Sequence, residues 1–437
     1  MAGAQVARSQ RERLVEAMTV VAARHGYAEA SVARVVKQAG MSRATFYEQF
    51  ENRDDCFLAA FRRAAEPMRE ELGSGDEARG EPERPRAVLA RTLSLAEQHP
   101  ASTRLILIEA RAGDKRVRAE HEELLALIER AIELYLSATA ERMPIEIPTR
   151  ALLGGIGGLI GTRVFRSEAG GLSELLDDLL AWFGSYAVPA GRQRMTPEEW
   201  LELGHAWEAV RSEPLPLARD ERPLPRGRSA LSPGQVASEH RERVVEAIAA
   251  CVNERGYVAT TVADLVAAAG ITRGAFYEQF RNKEDAFLAA QSLGLERSAG
   301  LVASRFFTEA SWPERVWNSA EALTAYITDH PGLAYSTVIE AYAAGPAAIR
   351  RSIESRMAYT LFLEDGYRQR PEGEAIPRVF SEAIAGASEE LLRRQIVLGR
   401  TAEAQELLPQ AVYISLAPFI GTEAALDFVR ERCRTAA

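Results

Sequence analysis

Lysine is nearly missing from this chain: Lys37, Lys115 and Lys283 stand against fifty arginines. With the abundant alanine, this reads as coding bias from a GC-rich genome and carries no mechanistic weight. Cysteine is as scarce. Cys56, Cys251 and Cys433 are too few and too scattered for a disulfide framework or a zinc motif, so a reduced, cytoplasmic setting is expected. Long apolar runs are absent too. The longest uncharged one, between Arg150 and Arg163, falls short of the roughly 20 residues a bilayer needs. The N-terminus, MAGAQVARSQRERLVEAM, lacks the apolar core of a signal peptide. No membrane partner is expected. The histidines at 25, 99, 121, 205, 240 and 330 have no metal-type spacing, and no nucleophile elbow or phosphate loop occurs. The expectation is a non-enzyme with no cofactor and no metal.

What is present is length and apolar content. The chain has 437 residues, 47% of them hydrophobic, and a net charge of −9. That supports two to four packed domains and excludes wholesale disorder. The acidic balance argues mildly against nucleic acid as a partner.

The chain also repeats itself. Residues 11–60 and 241–290 align without a gap, and 25 of the 50 positions are identical. The densest stretch reads GMSRATFYEQFENRDDCFLAA in one copy and GITRGAFYEQFRNKEDAFLAA in the other. Further on the repeat is weaker: His99-Pro100 recurs as His330-Pro331, and Glu109-Ala110 as Glu340-Ala341, with one residue inserted. This is the pattern of a duplicated and fused subunit. Between the halves, Thr196-Pro197-Glu198-Glu199 opens a helix carrying Trp200 and Trp207. The prolines at 214, 216, 223, 225 and 233 then stiffen a tether. The two tryptophans imply that the first part of this linker packs on something.

Apolar spacing is helical throughout, as at Leu14, Met18 and Val21, or Val32, Val35, Val36 and Ala39. The fold is therefore expected to be all-α. Each repeated segment is punctuated as three short helices and the start of a fourth. Gly26 and Gly256 allow left-handed ends. Ser31 and Thr261 can cap a second helix, Gly40 and Gly270 turn it, and Ser42 and Thr272 cap a third. Asn52 and Asn282 cap a fourth, with Asp55 and Asp285 completing acidic capping boxes. Two short helices about a glycine turn form a helix-turn-helix. In its third helix Phe46 and Phe50 share one face and should pack inward. Arg43, Tyr47 and Gln49 project elsewhere: arginine can pair with guanine, glutamine with adenine, and tyrosine with phosphate. Arg43 as a plain solvated charge remains the alternative. Glu48 and Glu278 repel phosphate unless they orient a neighbouring cation or accept from cytosine.

This pattern of glycine, aliphatic, Ser/Thr, then Phe-Tyr, Phe and Asn-Lys/Arg resembles the DNA-binding signature of the tetracycline-repressor (TetR/AcrR) family in both copies. The resemblance covers about fifty residues of each half. It implies an all-helical, ligand-responsive regulator, usually a repressor, with a double-stranded DNA operator as partner. It implies groove-facing or groove-positioning roles for Ser31, Ser42, Arg43, Ala44, Thr45 and Gln49. The matching positions are Thr261, Thr272, Arg273, Gly274, Ala275 and Gln279. It implies phosphate contacts from Tyr47 and Tyr277, and from Arg53 and Lys283. The expected organisation is a helix-turn-helix at 9–61, a helical regulatory domain at 62–190, the linker at 191–238, a second helix-turn-helix at 239–291 and a second regulatory domain at 292–437. The two halves are expected to pack as an intramolecular pseudo-dimer, with the glycine-rich segment 151–165 and segment 172–183 facing 379–398 and 403–419. The chain would then act as a monomer on an imperfect palindrome. The first copy, with eight basic and seven acidic residues over 1–60 against six and eight over 231–290, should bind DNA more strongly.

Residues 292–437 hold fourteen aromatics, and residues 62–190 hold five. A small hydrophobic or aromatic effector is therefore expected in the second half, lined by Trp312, Trp317, Tyr335, Tyr342, Tyr359 and Phe362. Core packing is the alternative for each of them. The competing overall reading is a helical ligand-binding or scaffold protein with vestigial DNA-binding segments.

Overall fold

The structure is a computed structural model that describes residues 2–73, 84–139, 145–189, 194–210, 233–369 and 375–435. Among them the fold is all-helical, apart from one isolated β-bridge between Ile145 and Ala187. The proline-rich tether, from 211 to 232, lies outside the described residues. No described helix is long and apolar enough to cross a membrane.

The repeated segments fold alike because their punctuation is alike. Helix α1 (Ala2–His25) ends at Gly26, φ +84°; α2 (Val32–Ala39) ends at Gly40, φ +64°. α3 (Arg43–Gln49) and the long α4 (Arg53–Gly73) follow. Leu14, Met18, Val35, Phe46, Phe50 and Phe57 are buried at their centre. Each such aromatic contributes roughly 1.5–3 kcal/mol by leaving water. After α4 come α5 (Arg84–Gln98), α6 (Pro100–Leu107), α7 (Lys115–Thr139), α8 (Thr149–Phe165), α9 (Leu176–Gly184) and α10 (Pro197–Val210). The second half repeats this order. α11 (Pro233–Arg255), α12 (Val262–Ala269), α13 (Arg273–Gln279) and α14 (Lys283–Phe306) form the second three-helix domain and its exit. There the cluster of Val244, Ile248, Leu265, Phe276, Phe280 and Phe287 runs on into Ala341, Ala344 and Ala348. α15 (Trp312–Asp329), α16 (Pro331–Tyr335), α17 (Ala341–Ala344), α18 (Pro346–Tyr359), α19 (Val379–Val397), α20 (Leu408–Ile420) and α21 (Thr422–Thr435) complete the chain. His99 and His330 occupy the same bend before α6 and α16, at φ −127° in both, which gives them a structural place at a helix junction.

The compact units do not follow the two halves of the sequence. One comprises Met1–Thr196, Arg356–Leu391 and Tyr413–Leu426; the other comprises Pro197–Ser355, Leu392–Val412 and Asp427–Ala437. In the first unit α8 crosses α19 so closely that a Cβ on Gly386 would lie 2.6 Å from the Gly154 carbonyl oxygen. This is the role expected of the glycine-rich segment: backbone approach without side chains between. Ion pairs from Arg150 Nε to Glu390 (2.8 Å) and from Arg163 to Glu382 (2.8 Å) flank the crossing. The Tyr186 hydroxyl donates to Ile414 O at 2.9 Å. The first half thus pairs with late helices of the second.

In the second unit α10 finds its docking site. Trp207 meets Trp317 edge-on at 5.0 Å, and a Cβ on Gly204 would lie 2.5 Å from the Glu406 carbonyl oxygen. Trp207 therefore packs on α15 and α10 on the 3-10 turn Thr401–Leu407, and Trp200 is buried as well.

Candidate DNA-binding surfaces

Local chemistry builds each recognition helix. Ser42 Oγ accepts from Thr45 N at 3.0 Å, and Thr272 Oγ1 accepts from Ala275 N at 3.1 Å. Phe46 and Phe50 are buried, as are Phe276 and Phe280. With that face inward, Arg43, Ala44, Tyr47 and Glu48 are exposed on α3, and Arg273, Gly274, Tyr277 and Glu278 on α13. Tyr47 is 58% exposed and Tyr277 48%, unusual for aromatics. Each stands edge-on against the buried phenylalanine beside it, at 5.4 and 5.3 Å, which orients the hydroxyl outward. Gln49 and Gln279 are half-buried at the C-terminal ends. Two of the remaining positions are less open. The Thr45 hydroxyl is shared with Ser42 Oγ at 3.0 Å, and Ala275 is buried.

Ser31 and Thr261 act as helix caps. Ser31 Oγ accepts from Arg34 N at 3.4 Å. Thr261 forms a full capping box with Asp264, whose carboxyl is held below the usual range by the hydrogen bonds from Thr261. Arg53 and Lys283 are committed to the turn before α2 or α12. Arg53 lies 4.4 Å over the Tyr27 ring, pairs with Asp54 at 2.8 Å and reaches Tyr27 O and Ala28 O at 3.4 Å. Lys283 Nζ donates to Tyr257 O (2.7 Å) and Thr260 O (2.8 Å), and partial burial lowers its pKa. A lysine has three donors, so one remains for a phosphate.

Two sets of repeated residues to which the sequence assigned no role help to hold these surfaces. The repeated Arg-Glu-Arg of the first helix is one. Arg11 donates to Gln49 O at 2.7 Å while lying 4.2 Å over the Phe50 ring, and Arg13 donates to Ala39 O at 2.6 Å. They satisfy the open carbonyl ends of α3 and α2. Their identity in both copies was the available signal. The other set is the repeated Glu-Ala. Glu109, 1% exposed, accepts from Tyr27 N at 2.7 Å and from Arg104 Nε at 3.0 Å. Burial pushes its carboxyl up, against the pull of Arg104 and of the Tyr27 N–H. In the second half Glu340 accepts from Tyr257 N at 2.6 Å and from the Tyr335 hydroxyl at 3.3 Å. Each glutamate ties a regulatory segment to the Gly-Tyr corner from which α2 or α12 departs.

The surfaces differ in charge. α2 exposes Arg34 and Lys37, where α12 has Asp264 and Ala267. Arg34 is itself paired with Glu29 at 2.6 Å.

The aromatic set expected to line an effector site is divided between the two compact units. Trp312, Trp317, Tyr335 and Tyr342 belong to one unit, and Tyr359 and Phe362 to the other. Trp317 is fully buried between Trp207 and Phe428, and the Tyr359 hydroxyl is bonded to Ser415 Oγ at 3.0 Å. These two pack as core. None of the six lines the 390 Å³ cavity between α11 and α14 or the 330 Å³ cavity beside Phe380.

Two capped helices about a left-handed glycine, with an outward tyrosine and arginine and an aromatic inner face, define a helix-turn-helix DNA-binding domain, and the chain has two. Residues 14–60 and 244–290 each match the family described as bacterial regulatory proteins, tetR family. The chain thus carries that family's DNA-binding domain twice, in tandem, as a DNA-binding transcriptional regulator does. Among solved structures it is similar to the fatty acid degradation regulator FadR from Bacillus halodurans, with 17% identity over 40% of this chain and 97% of that one and a TM-score of 0.36. FadR from Bacillus subtilis, solved in complex with stearoyl-CoA, gives 15% identity over 40% and 97%, also at 0.36. The TetR family transcriptional regulator PfmR from Thermus thermophilus gives 20% identity over 44% and 95%, at 0.27. A comparison with curated proteins finds no match.

Proposed function

We propose that this chain is a ligand-responsive repressor that reads a pseudo-palindromic operator with two recognition helices of one polypeptide. The observation that carries the reading is the duplicated outward display of Arg43 with Tyr47 and of Arg273 with Tyr277 on equally capped helices. The half-sites of such an operator lie about one helical turn, ~34–36 Å, apart. They need not be identical, because α3 and α13 differ at Ala44/Gly274 and Thr45/Ala275. Tyr47, Tyr277, Arg53 and Lys283 set register on phosphates, while Arg43, Arg273, Gln49 and Gln279 meet base edges.

Support for an effector comes from a comparison of the two cores. Phe61, Leu105 and His121 in the first half correspond to Gln291, Ser336 and Ser352 in the second. Gln291 is 1% exposed and donates to Ala348 O and Ser352 Oγ, both at 3.0 Å, yet its Oε1 and the Ser336 hydroxyl have no hydrogen-bond partner among the described residues. Ser336 opens a π-helical turn that ends at Glu340. Buried polar groups without partners are costly, and a polar effector group would relieve them. The effector is then expected near Gln291 in the second half. Its signal would pass through Glu340 to the Gly256-Tyr257 corner, shifting the population away from groove-spaced helices.

A gel-shift titration against the DNA upstream of the coding sequence tests the reading, with a chain carrying both Tyr47→Ala and Tyr277→Ala as control. Retarded DNA that is lost in the control supports it. No retardation by wild type, or retardation that the control retains in full, overturns it; the first outcome favours a helical scaffold with vestigial segments, and the acidic Asp264 of α12 is the observation on that side.

A further inference from the structure

The crossing of α8 and α19 brings corresponding positions of the two halves together. With the one inserted residue, Gly155 corresponds to Gly386, Gly154 to Ala385, Gly158 to Glu389, Leu159 to Glu390 and Ala151 to Glu382. A Cβ on Gly386 would lie 3.2 Å from Gly155 Cα. The helices therefore cross where a symmetric dimer of either half would cross, and what each half would meet in its own copy can be read off position by position.

We propose that this crossing is self-excluding: each half accepts the other and refuses a second copy of itself, so the operator-binding unit is a single chain. Two copies of the second half would collide. Ala385 would stand where Gly154 stands, and a Cβ there lies 2.8 Å from the Gly386 carbonyl oxygen and closer still to Glu390 Cβ. Glu389 would stand where Gly158 stands, whose Cβ would lie 3.1 Å from Gly386 Cα. These contacts are between Cβ atoms and backbone or Cβ atoms, whose positions the backbone fixes, so no side-chain rotation relieves them. The exclusion there is steric: Glu382 would still find Arg394 opposite.

Two copies of the first half fit sterically but lose the two carboxylates that the second half supplies, Glu390 to Arg150 and Glu382 to Arg163, while Glu122 and Glu129 stay with Arg150. Arg150 is 5% exposed and is held by Glu390 at 2.8 Å, Glu122 at 2.8 Å and Glu129 at 3.5 Å. Against its own copy it would face Leu159 instead of Glu390. Arg163 would face Ala151 in place of Glu382. A buried guanidinium deprived of a carboxylate is strongly unfavourable, and such mismatches set partner choice.

The test uses the intact chain. Two differently tagged copies are co-expressed, and one is captured; light scattering gives the mass of the purified protein. The expected result is no co-purification and the mass of one 48.0 kDa chain. Gly154→Ala, which recreates one contact of the refused pair, should lower Tm by several degrees. Arg163→Glu and Glu382→Arg should each lower Tm, and the double reversal should regain most of the loss, a readout that stands even if Gly154→Ala does not fold. Co-purified chains, an unchanged Tm for Gly154→Ala, or charge-reversal losses that simply add would each overturn the proposal.

Discussion

Three kinds of residue decide how this chain meets DNA and how its corners are held. Arg43 and Tyr47 are exposed because Phe46 and Phe50 take the inward face, and α2 adds two exposed cations that α12 lacks. Affinity rests on counterions displaced by a few placed charges. At raised salt, Arg43→Ala with Tyr47→Phe should therefore cost more affinity than Arg273→Ala with Tyr277→Phe, and equal losses in a gel-shift titration would refute this. Glu109 offers a pH test. Its folded pKa lies above the unfolded one, so its protonated form favours the fold. That contribution is full at low pH and is lost as pH rises through the folded value. Glu109→Gln keeps an acceptor for Tyr27 N without the titration. The Tm of wild type relative to the variant should thus decline with rising pH; a flat difference would remove burial as the controlling factor. Cys56, buried beneath Leu14, has its thiol pushed up to about 12 by desolvation. Since the thiolate is the nucleophile, a maleimide reagent should label it only on unfolding, and rapid labelling of the native chain would contradict the packing.

At the scale of elements, the helix-turn-helix was legible because its determinants are local. Ser42, Gly40 and Asn52 act on backbone atoms within a few residues, and the structure puts each where the spacing does. Gly40 at φ +64° terminates α2, and a Cβ in that conformation costs about 1–2 kcal/mol. Gly40→Ala should lower Tm and weaken operator binding together, measured by calorimetry and gel shift on the same sample. Arg11 and Arg13 were visible as part of an identical Arg-Glu-Arg, but their work is done across 38 and 26 residues. Sequence spacing cannot show which carbonyl a long side chain reaches. The place of the second half's aromatics is non-local in the same way. Trp317 in a pocket and Trp317 against Trp207 have the same composition, and only contact tells them apart.

At the scale of the molecule, the proposed reading gives one chain two recognition helices of different sequence. If α3 and α13 read different half-sites, an operator with the first half-site repeated as a perfect palindrome should bind differently from one with the second repeated. Fluorescence anisotropy with the two duplexes checks this, and equal affinities would mean that Ala44/Gly274 and Thr45/Ala275 carry no readout. The opposing faces of α8 and α19 belong to this scale as well, since neither sequence alone says which glycine meets which glutamate.

The amino-acid sequence by itself determined that the chain is helical, duplicated, and opened in each half by a capped DNA-binding segment, because turns, caps and apolar period are short-range properties. Only the tertiary structure decided that α10 packs on the second half, that α19 pairs with α8, and that Glu109 and Glu340 hold the corners of the reading heads. Those contacts join residues 82 to 240 apart, and which of them form is settled by the fit of whole surfaces and the need to pair buried charge.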